Sequence, residues 1–136
     1  MQKYKIPKLE ARIYSAIFKN INSKLVLVTL IYRAGYIEDI EMFYVKEDPM
    51  DFFKTKLKES RHFAQIRYAF LITNQPFDFT KLKDFTKPLI VKQGREIFLI
   101  NLTKQEYEIL KRRGYLKHSL NILKIILKIF NNEILS

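Results

Sequence analysis

Residues 25–46, LVLVTLIYRAGYIEDIEMFYVK, determine which class of fold the sequence predicts. The first part, residues 25–32, is a near-continuous apolar run, which is typical of a strand that is covered on both faces. Residues 33–35 (Arg-Ala-Gly) predict a turn, and residues 36–46 alternate between apolar and polar side chains, which predicts a long strand. Because the linker is short, we expect these two strands to pair in the antiparallel direction.

Another strand precedes this pair along the chain. Residues 11–18, ARIYSAIF, predict a strand whose odd-numbered and even-numbered side chains face opposite sides. Residues 19–24, KNINSK, are rich in Asn and Ser and predict a turn. The first three strands are therefore expected to form an antiparallel meander.

The segment DPMD at residues 48–51 predicts the start of a helix. Asp48 can accept bonds from free amides, Pro49 stands where its missing N–H costs nothing, and Asp51 favours the positive end of the helix dipole. The later predicted elements are a strand at 66–73, an irregular or short helical link at 76–85, strands at 88–91 and 96–102, a helix that begins with the capping box TKQE at 103–106 and ends at Gly114, and a helix at 116–134. This order predicts an α/β fold, with a mixed sheet and helices on both faces.

The length and composition exclude several classes of protein. The 136 residues are enough for one domain with one core. The chain has no Cys, which excludes disulfides, thiolate nucleophiles and thiolate metal ligands. No apolar run reaches the roughly 20 residues that a membrane span needs, and residues 1–5 do not open a signal peptide. We therefore expect a cytoplasmic protein without a membrane partner.

The formal net charge of +11 favours polyanions as partners. Lys supplies 18 of the 25 cations, and a Lys-rich surface also occurs in proteins that simply need to be soluble. Charge therefore leaves two interpretations open, which are contact with nucleic acid and a basic surface without a specific ligand.

Few motifs in the sequence carry chemistry. Three Gly residues do not make a phosphate loop, and the two His residues have no nearby His partner for a metal. His62 could contact a phosphate beside Arg61 or close the end of a helix. Asp39 and Glu41 share one face of an extended strand, where they could hold Mg²⁺ or simply face solvent.

Several short blocks of the sequence follow one another in a recognisable order. They are LVTLIYRAGYIED (27–39), DPMD (48–51), SRHFAQIRYAFL (60–71), PFDF (76–79), KPLIV (87–91) and GYLKHSLNILKII (114–126). In this order they resemble an archaeal family of uncharacterised proteins, domain of unknown function 99, which is similar to endonuclease V. The resemblance implies a ribonuclease H-like fold, whose sheet begins with an antiparallel three-strand meander.

The resemblance also implies what a nuclease site would require. Nucleases of this fold hold Mg²⁺ with acidic residues, at least one of them on the first strand. The matching positions here are residues 14–16, Tyr-Ser-Ala, and no Asp or Glu lies between Ala11 and Glu38. Asp39 and Asp78 remain as ligands without a partner on the first strand. We therefore expect that metal-dependent nuclease activity has been lost and that no cofactor is bound, with Mg²⁺ required only if that activity persists.

The leading hypothesis is a nuclease-like scaffold that binds DNA or RNA without cleaving it. The candidate nucleic-acid contacts are Arg33, Lys54, Lys58, Arg61, His62 and Arg67. The candidate vestigial pocket consists of Tyr14, Ser15, Asp39, Thr73, Asn74, Phe77 and Asp78. The aromatic residues that could stack on bases are Tyr14, Tyr36 and Phe77.

Three other hypotheses remain. A residual endonuclease would use Asp39 and Asp78 with Mg²⁺. An interaction subunit would form a homodimer through the helix 116–134, which is apolar around more than half of its circumference. A peripheral membrane protein would use the Lys residues that form a stripe along the same helix.

Overall fold

The computed structural model describes residue 7 and residues 10–76 and 78–135, and it is built around a six-stranded mixed sheet. The elements are β1 (Arg12–Ile21), β2 (Lys24–Arg33), β3 (Tyr36–Tyr44), α1 (Pro49–Glu59), β4 (Ile66–Thr73), β5 (Leu89–Gln93), β6 (Glu96–Ile100), α2 (Lys104–Arg112) and α3 (Tyr115–Leu135), with 3₁₀ turns at Phe63–Gln65 and Phe79–Leu82. The strand order is β3-β2-β1-β4-β5-β6. Strands β4 and β5 run parallel to β1, whereas β2 pairs antiparallel with both β1 and β3, and β6 pairs antiparallel with β5. The predicted α/β fold with a ribonuclease H-like mixed sheet is confirmed.

Two tight hairpins create the meander. Asn22 and Ser23 join β1 to β2, and Ala34 and Gly35 join β2 to β3, all four with positive φ angles. Two-residue loops with positive φ at both positions match the twist of the flanking strands. The predicted turn at 19–24 was too wide, because β1 continues to Ile21 and pairs with β2 up to the loop.

The two faces of the sheet pack against different helices, as the alternation in residues 11–18 predicted. Tyr14 and its even-numbered neighbours pack with Phe53 and Leu57 of α1. Ile17, on the opposite face, packs with Leu123 of α3. Burial of such side chains is the dominant favourable term in folding, so this alternation largely fixes the orientation of the central strand.

The ends of the helices follow the predicted capping signals. Asp48 accepts a bond from the Asp51 amide at the start of α1 (3.2 Å). Thr103 and Glu106 form the predicted capping box at the start of α2, each side chain accepting a bond from the other residue's amide at 3.1 Å. Gly114 follows α2 with a positive φ of 76°.

Helix α3 lies over β1 and β2 and contacts β3 where the Phe130 ring meets that of Tyr44, but it leaves much of the neighbouring face of β3 open. Large apolar side chains are consequently exposed along this edge of the molecule. We call this surface the apolar edge, and it consists of Ile37, Ile40, Met42 and Tyr44 of β3 with Ile125 and Ile129 of α3. None of the helices in the described ranges is long and apolar enough to cross a membrane.

Candidate functional site

The carboxyl ends of β1, β4 and β5 meet at one edge of the sheet, where open α/β sheets commonly bind ligands. Thr73 ends β4 at this edge and Asn74 follows it. The Thr73 hydroxyl accepts a bond from the Gln75 amide at 2.8 Å and is buried. The predicted Thr73 therefore stabilises the turn after β4, whereas Asn74 is exposed.

Tyr14 and Ser15 lie inside the protein and do not line a pocket with Asn74. Tyr14 is 2% exposed, and burial raises its pKa well above the usual value, although a hydrogen bond with the Thr29 side chain acts in the opposite direction. The hypothesis that Tyr14 stacks on bases is wrong, because its ring is covered by α1. Ser15 is fully buried on the other face, with its hydroxyl 3.0 Å from that of Ser119. Phe77, the other predicted stacking residue of this pocket, lies outside the described residues.

The two carboxylates proposed as metal ligands do not converge. Asp39 in β3 pairs with Ile31 in β2, which places it level with Tyr14 in β1 and Ala69 in β4. Thr73 lies four residues further along β4, about 13 Å at the usual rise of a strand. Asp78 follows that strand end and accepts a bond from the Thr80 amide at 2.9 Å.

Other acidic side chains near the carboxyl edge are already paired with a cation of the chain. The Lys81 ammonium lies 2.9 Å from an Asp48 carboxylate oxygen and 3.2 Å from one of Asp51. The Lys81 contact holds the pKa of Asp48 below its usual value and raises the pKa of Lys81. Within the described ranges, no three His, Asp or Glu side chains come together as a metal site. The donor set therefore does not fit Mg²⁺.

The opposite edge of the sheet is basic. A cavity of about 840 Å³ lies where β1 and β4 begin and β2 ends. We call it the arginine cavity, and its cationic lining residues are Arg12, Arg33, Arg67 and Lys87. Arg12 and Arg33 are register partners across β1 and β2, and the parallel pairing of β1 with β4 places Arg67 beside them.

The four cations of the arginine cavity differ in how far they are neutralised. Arg12 binds Glu38 with two nitrogens, at 2.7 and 3.3 Å, and these bonds lower the pKa of Glu38. Neither Arg33 nor Arg67 takes part in an ion pair with another described residue. Glu10 and Glu106 also line the cavity, so its lining has two more cations than carboxylates.

Lys87 is held in a fixed position in the wall of this cavity. Its ammonium donates to the Ile66 carbonyl at 2.8 Å and lies 4.4 Å from the centre of the Phe63 ring. Burial, with a smaller contribution from the charge of Arg67, lowers the pKa of Lys87. Residue types and spacing did not identify Arg12 or Lys87, because their proximity depends on strand pairing across more than 50 residues.

The remaining predicted contacts divide between two places. Lys54 is bonded to the Lys81 carbonyl and to Asp84, both near 2.7–2.8 Å, beside the exposed Lys58 on α1. Arg61 is exposed in the turn after α1, and His62 has a left-handed φ of 66° at the start of the next 3₁₀ turn. Arg33 and Arg67 thus line the arginine cavity, whereas Lys54 and Lys58 line a narrow groove that adjoins it and shares Lys87 with it.

Comparison with known proteins supports the fold and leaves the family open. No family model matches the chain, and no curated protein matches it. The chain is similar to the crystal structure of a protein of unknown function from Archaeoglobus fulgidus, with 17% sequence identity and a TM-score of 0.51. The match covers 76% of this chain and 61% of that protein, so this chain spans less than two thirds of its length.

Proposed function

We propose that the protein is a diverged endonuclease V-like module that binds nucleic acid at the arginine cavity and does not hydrolyse it. The observation that carries this proposal is the convergence on one open cavity of Arg33 and Arg67, which form no ion pair with another described residue. A guanidinium presents a planar set of donors that matches two phosphate oxygens at once. Two such groups beside Lys87 therefore favour a chain of phosphates over a single carboxylate.

The absence of hydrolysis follows from the placement of the carboxylates. Asp39 lies inside β3, whereas Asp78 lies beyond the end of β4, and Lys81 forms ion pairs with both Asp48 and Asp51. Two-metal phosphoryl transfer needs carboxylates that hold ions about 4 Å apart. The described donors do not provide that arrangement, so binding is the activity that the geometry favours.

The test is the salt dependence of oligonucleotide binding, measured by fluorescence anisotropy. If Arg33, Arg67 and Lys87 each neutralise one phosphate, log K should fall with log salt with a slope of about −2.7 for duplex and −2.1 for single-stranded substrates. Between about 50 and 200 mM salt the affinity for duplex should then fall roughly 40-fold. The double variant Arg33→Gln, Arg67→Gln should bind more weakly, with a duplex slope near −0.9.

A matched control separates the site from net charge. The double variant Lys111→Gln, Arg112→Gln removes the same charge from an exposed part of α2 outside the arginine cavity, and its slope should equal that of the natural chain. Equal slopes for all three proteins would show that binding is a general effect of the +11 charge and would reject the cavity. Cleavage of the same oligonucleotides with Mg²⁺ or Mn²⁺, abolished by Asp39→Ala or Asp78→Ala, would reject the non-hydrolytic assignment.

The apolar edge favours a second candidate function, self-association. Among the side chains that the structure describes, seven of the eight large apolar ones that are exposed belong to β3 or α3, and Ile125 and Ile129 are 59% and 55% exposed. A long apolar strand at the edge of a sheet also carries unpaired backbone groups, which another β3 could pair. Light scattering should then show a dimer that Ile125→Glu combined with Ile129→Glu converts to a monomer. A monomer at all concentrations of the natural chain would exclude this function.

A further inference from the structure

A second cavity, of about 500 Å³, opens at the carboxyl edge of the sheet between the ends of β1 and β4 and residues 124–131 of α3. It lies at the end of β1 opposite the arginine cavity. We call it the lysine cleft. Its cationic lining residues are Lys19, Lys92, Lys124 and Lys128, and the amide side chains in its lining are Asn20, Asn74 and Asn131.

The charge of the lysine cleft is not compensated by its own lining. No Asp or Glu is among the described residues that form it, and none of its four lysines takes part in an ion pair within the described part of the chain. Lys92 is oriented by a bond from its ammonium to the Gly94 carbonyl at 2.7 Å. The other three lysines are exposed, and their four-carbon stems can move to meet an anion.

The four ammonium groups come from three separate elements. Lys19 projects from β1, Lys92 lies in β5, and Lys124 and Lys128 lie one helical turn apart on α3. Like charges that line one cavity repel one another, and a multivalent anion relieves that repulsion. A compact ligand with three or four negative charges matches this arrangement better than a single phosphate does.

The lysine cleft also has an apolar wall. Ile17, Ile72 and Leu127 contribute apolar surface beside the exposed amide of Asn74. An apolar wall with a few polar groups is the usual composition of a small-molecule site, and about 500 Å³ is within the usual range of volume. A planar base can lie on such a wall while its amide neighbours bond to the edge of the ring.

We propose that the lysine cleft binds a nucleoside 5′-triphosphate group, with the phosphates among the four lysines and the nucleoside against the apolar wall. The same chemical group occurs in a free nucleotide and at the 5′ end of an RNA chain. This site is independent of the proposed nucleic-acid contact at the arginine cavity, because the two cavities share no lining residue.

The test is isothermal titration of the natural chain with a nucleoside triphosphate, the matching monophosphate and inorganic triphosphate. We expect the triphosphate to bind with Kd below about 1 mM and at least roughly ten-fold more tightly than the monophosphate, since two further charges are worth about 1.4 kcal/mol. Lys124→Gln with Lys128→Gln should weaken triphosphate binding roughly ten-fold. Arg33→Gln with Arg67→Gln should leave it unchanged while still weakening oligonucleotide binding.

Two further measurements keep the result unambiguous. Amide NMR shifts of the natural chain should change around Thr73, Asn74 and Lys92 on addition of triphosphate, a readout that needs no variant. An RNA with a 5′-triphosphate that competes better than the free nucleotide would identify the nucleic-acid end as the source of the group. Equal binding of monophosphate and triphosphate, or shift changes confined to the arginine cavity, would overturn the proposal.

Discussion

Ser15→Asp tests whether the innermost strand could hold the acidic residue that a nuclease of this fold requires. Ser15 has no exposed surface, and its hydroxyl lies 3.0 Å from that of Ser119, which itself donates to the Leu116 carbonyl at 3.1 Å. A carboxylate introduced here would lose its hydration beneath α3. Burial would raise its pKa from the ordinary value of about 3.9 to near or above neutrality.

The size and sign of the effect follow from proton linkage. Because the folded-state pKa exceeds the unfolded value, ionisation of the carboxyl group lowers the free energy of unfolding. This destabilisation is absent below about pH 3.9 and grows as the pH rises. It increases by about 1.4 kcal/mol for each pH unit above 3.9 until the folded-state pKa is reached, which gives about 4 kcal/mol at pH 7 and about 1.5 kcal/mol at pH 5. The pH 7 value approaches the lower end of the roughly 5–15 kcal/mol that is typical of the whole stability of a domain.

The assay is urea unfolding at pH 5 and pH 7, followed by far-ultraviolet circular dichroism because the chain has no Trp. Ser15→Asn is the matched control, since it has nearly the shape of the protonated acid and does not titrate. The difference in unfolding free energy between Asp and Asn variants should widen by about 2.7 kcal/mol from pH 5 to pH 7. A constant difference would mean that water reaches residue 15 and would refute the conclusion that this position cannot carry a charge.

Three further predictions concern local features of the chain. Ala34→Asn should raise the free energy of unfolding by about 0.5–1 kcal/mol in urea titrations, because Asn tolerates the positive φ of 48° that this hairpin loop imposes, and an unchanged or lower value would count against strain there. Thr103→Ala should lower the same quantity by about 1 kcal/mol, since the capping bonds shared with Glu106 are lost, whereas an equal midpoint would show that the cap is not stabilising. Arg67→Gln should raise the pKa of Lys87 in an NMR titration of its side chain, while a fixed pKa would mean that burial is its sole cause.

The fold was largely predictable because its signals are local. The apolar run at residues 25–32, the alternation at 11–18 and the capping residues around Asp48 each depend on neighbours in sequence, and each appears in the structure. The end of β1 was missed for a physical reason. Lys19 and Asn20 have little preference for strands, but their pairing with β2 keeps them in the sheet up to the Asn22 loop.

The sites were less predictable because they depend on contacts between distant segments. Arg33 and Arg67 could be selected from sequence, since each is a cation at the end of an apolar strand. Arg12 and Lys87 join them through the parallel pairing of β1 with β4 and the position of β5, which no local pattern encodes. Similarly, the sequence predicted the stripe of Lys residues on the last helix. The position of Lys92 beside that stripe depends on the order of strands in the sheet, which the sequence pattern does not specify.

The position of Lys81 explains how a scaffold of this kind can keep acidic residues near its carboxyl edge without a bound metal. Asp48 and Asp51 open α1, where the helix dipole and a free amide favour a negative charge regardless of any ligand. Two carboxylates so close would repel one another, and the attraction of each to the Lys81 ammonium offsets that repulsion. The same lysine joins the start of α1 to the 3₁₀ turn that follows β4. Its ammonium therefore occupies the position between the two carboxylates where a divalent ion could bind. Carboxylates at the expected edge of the sheet are therefore insufficient evidence for a nuclease, since helix capping and an internal cation account for them.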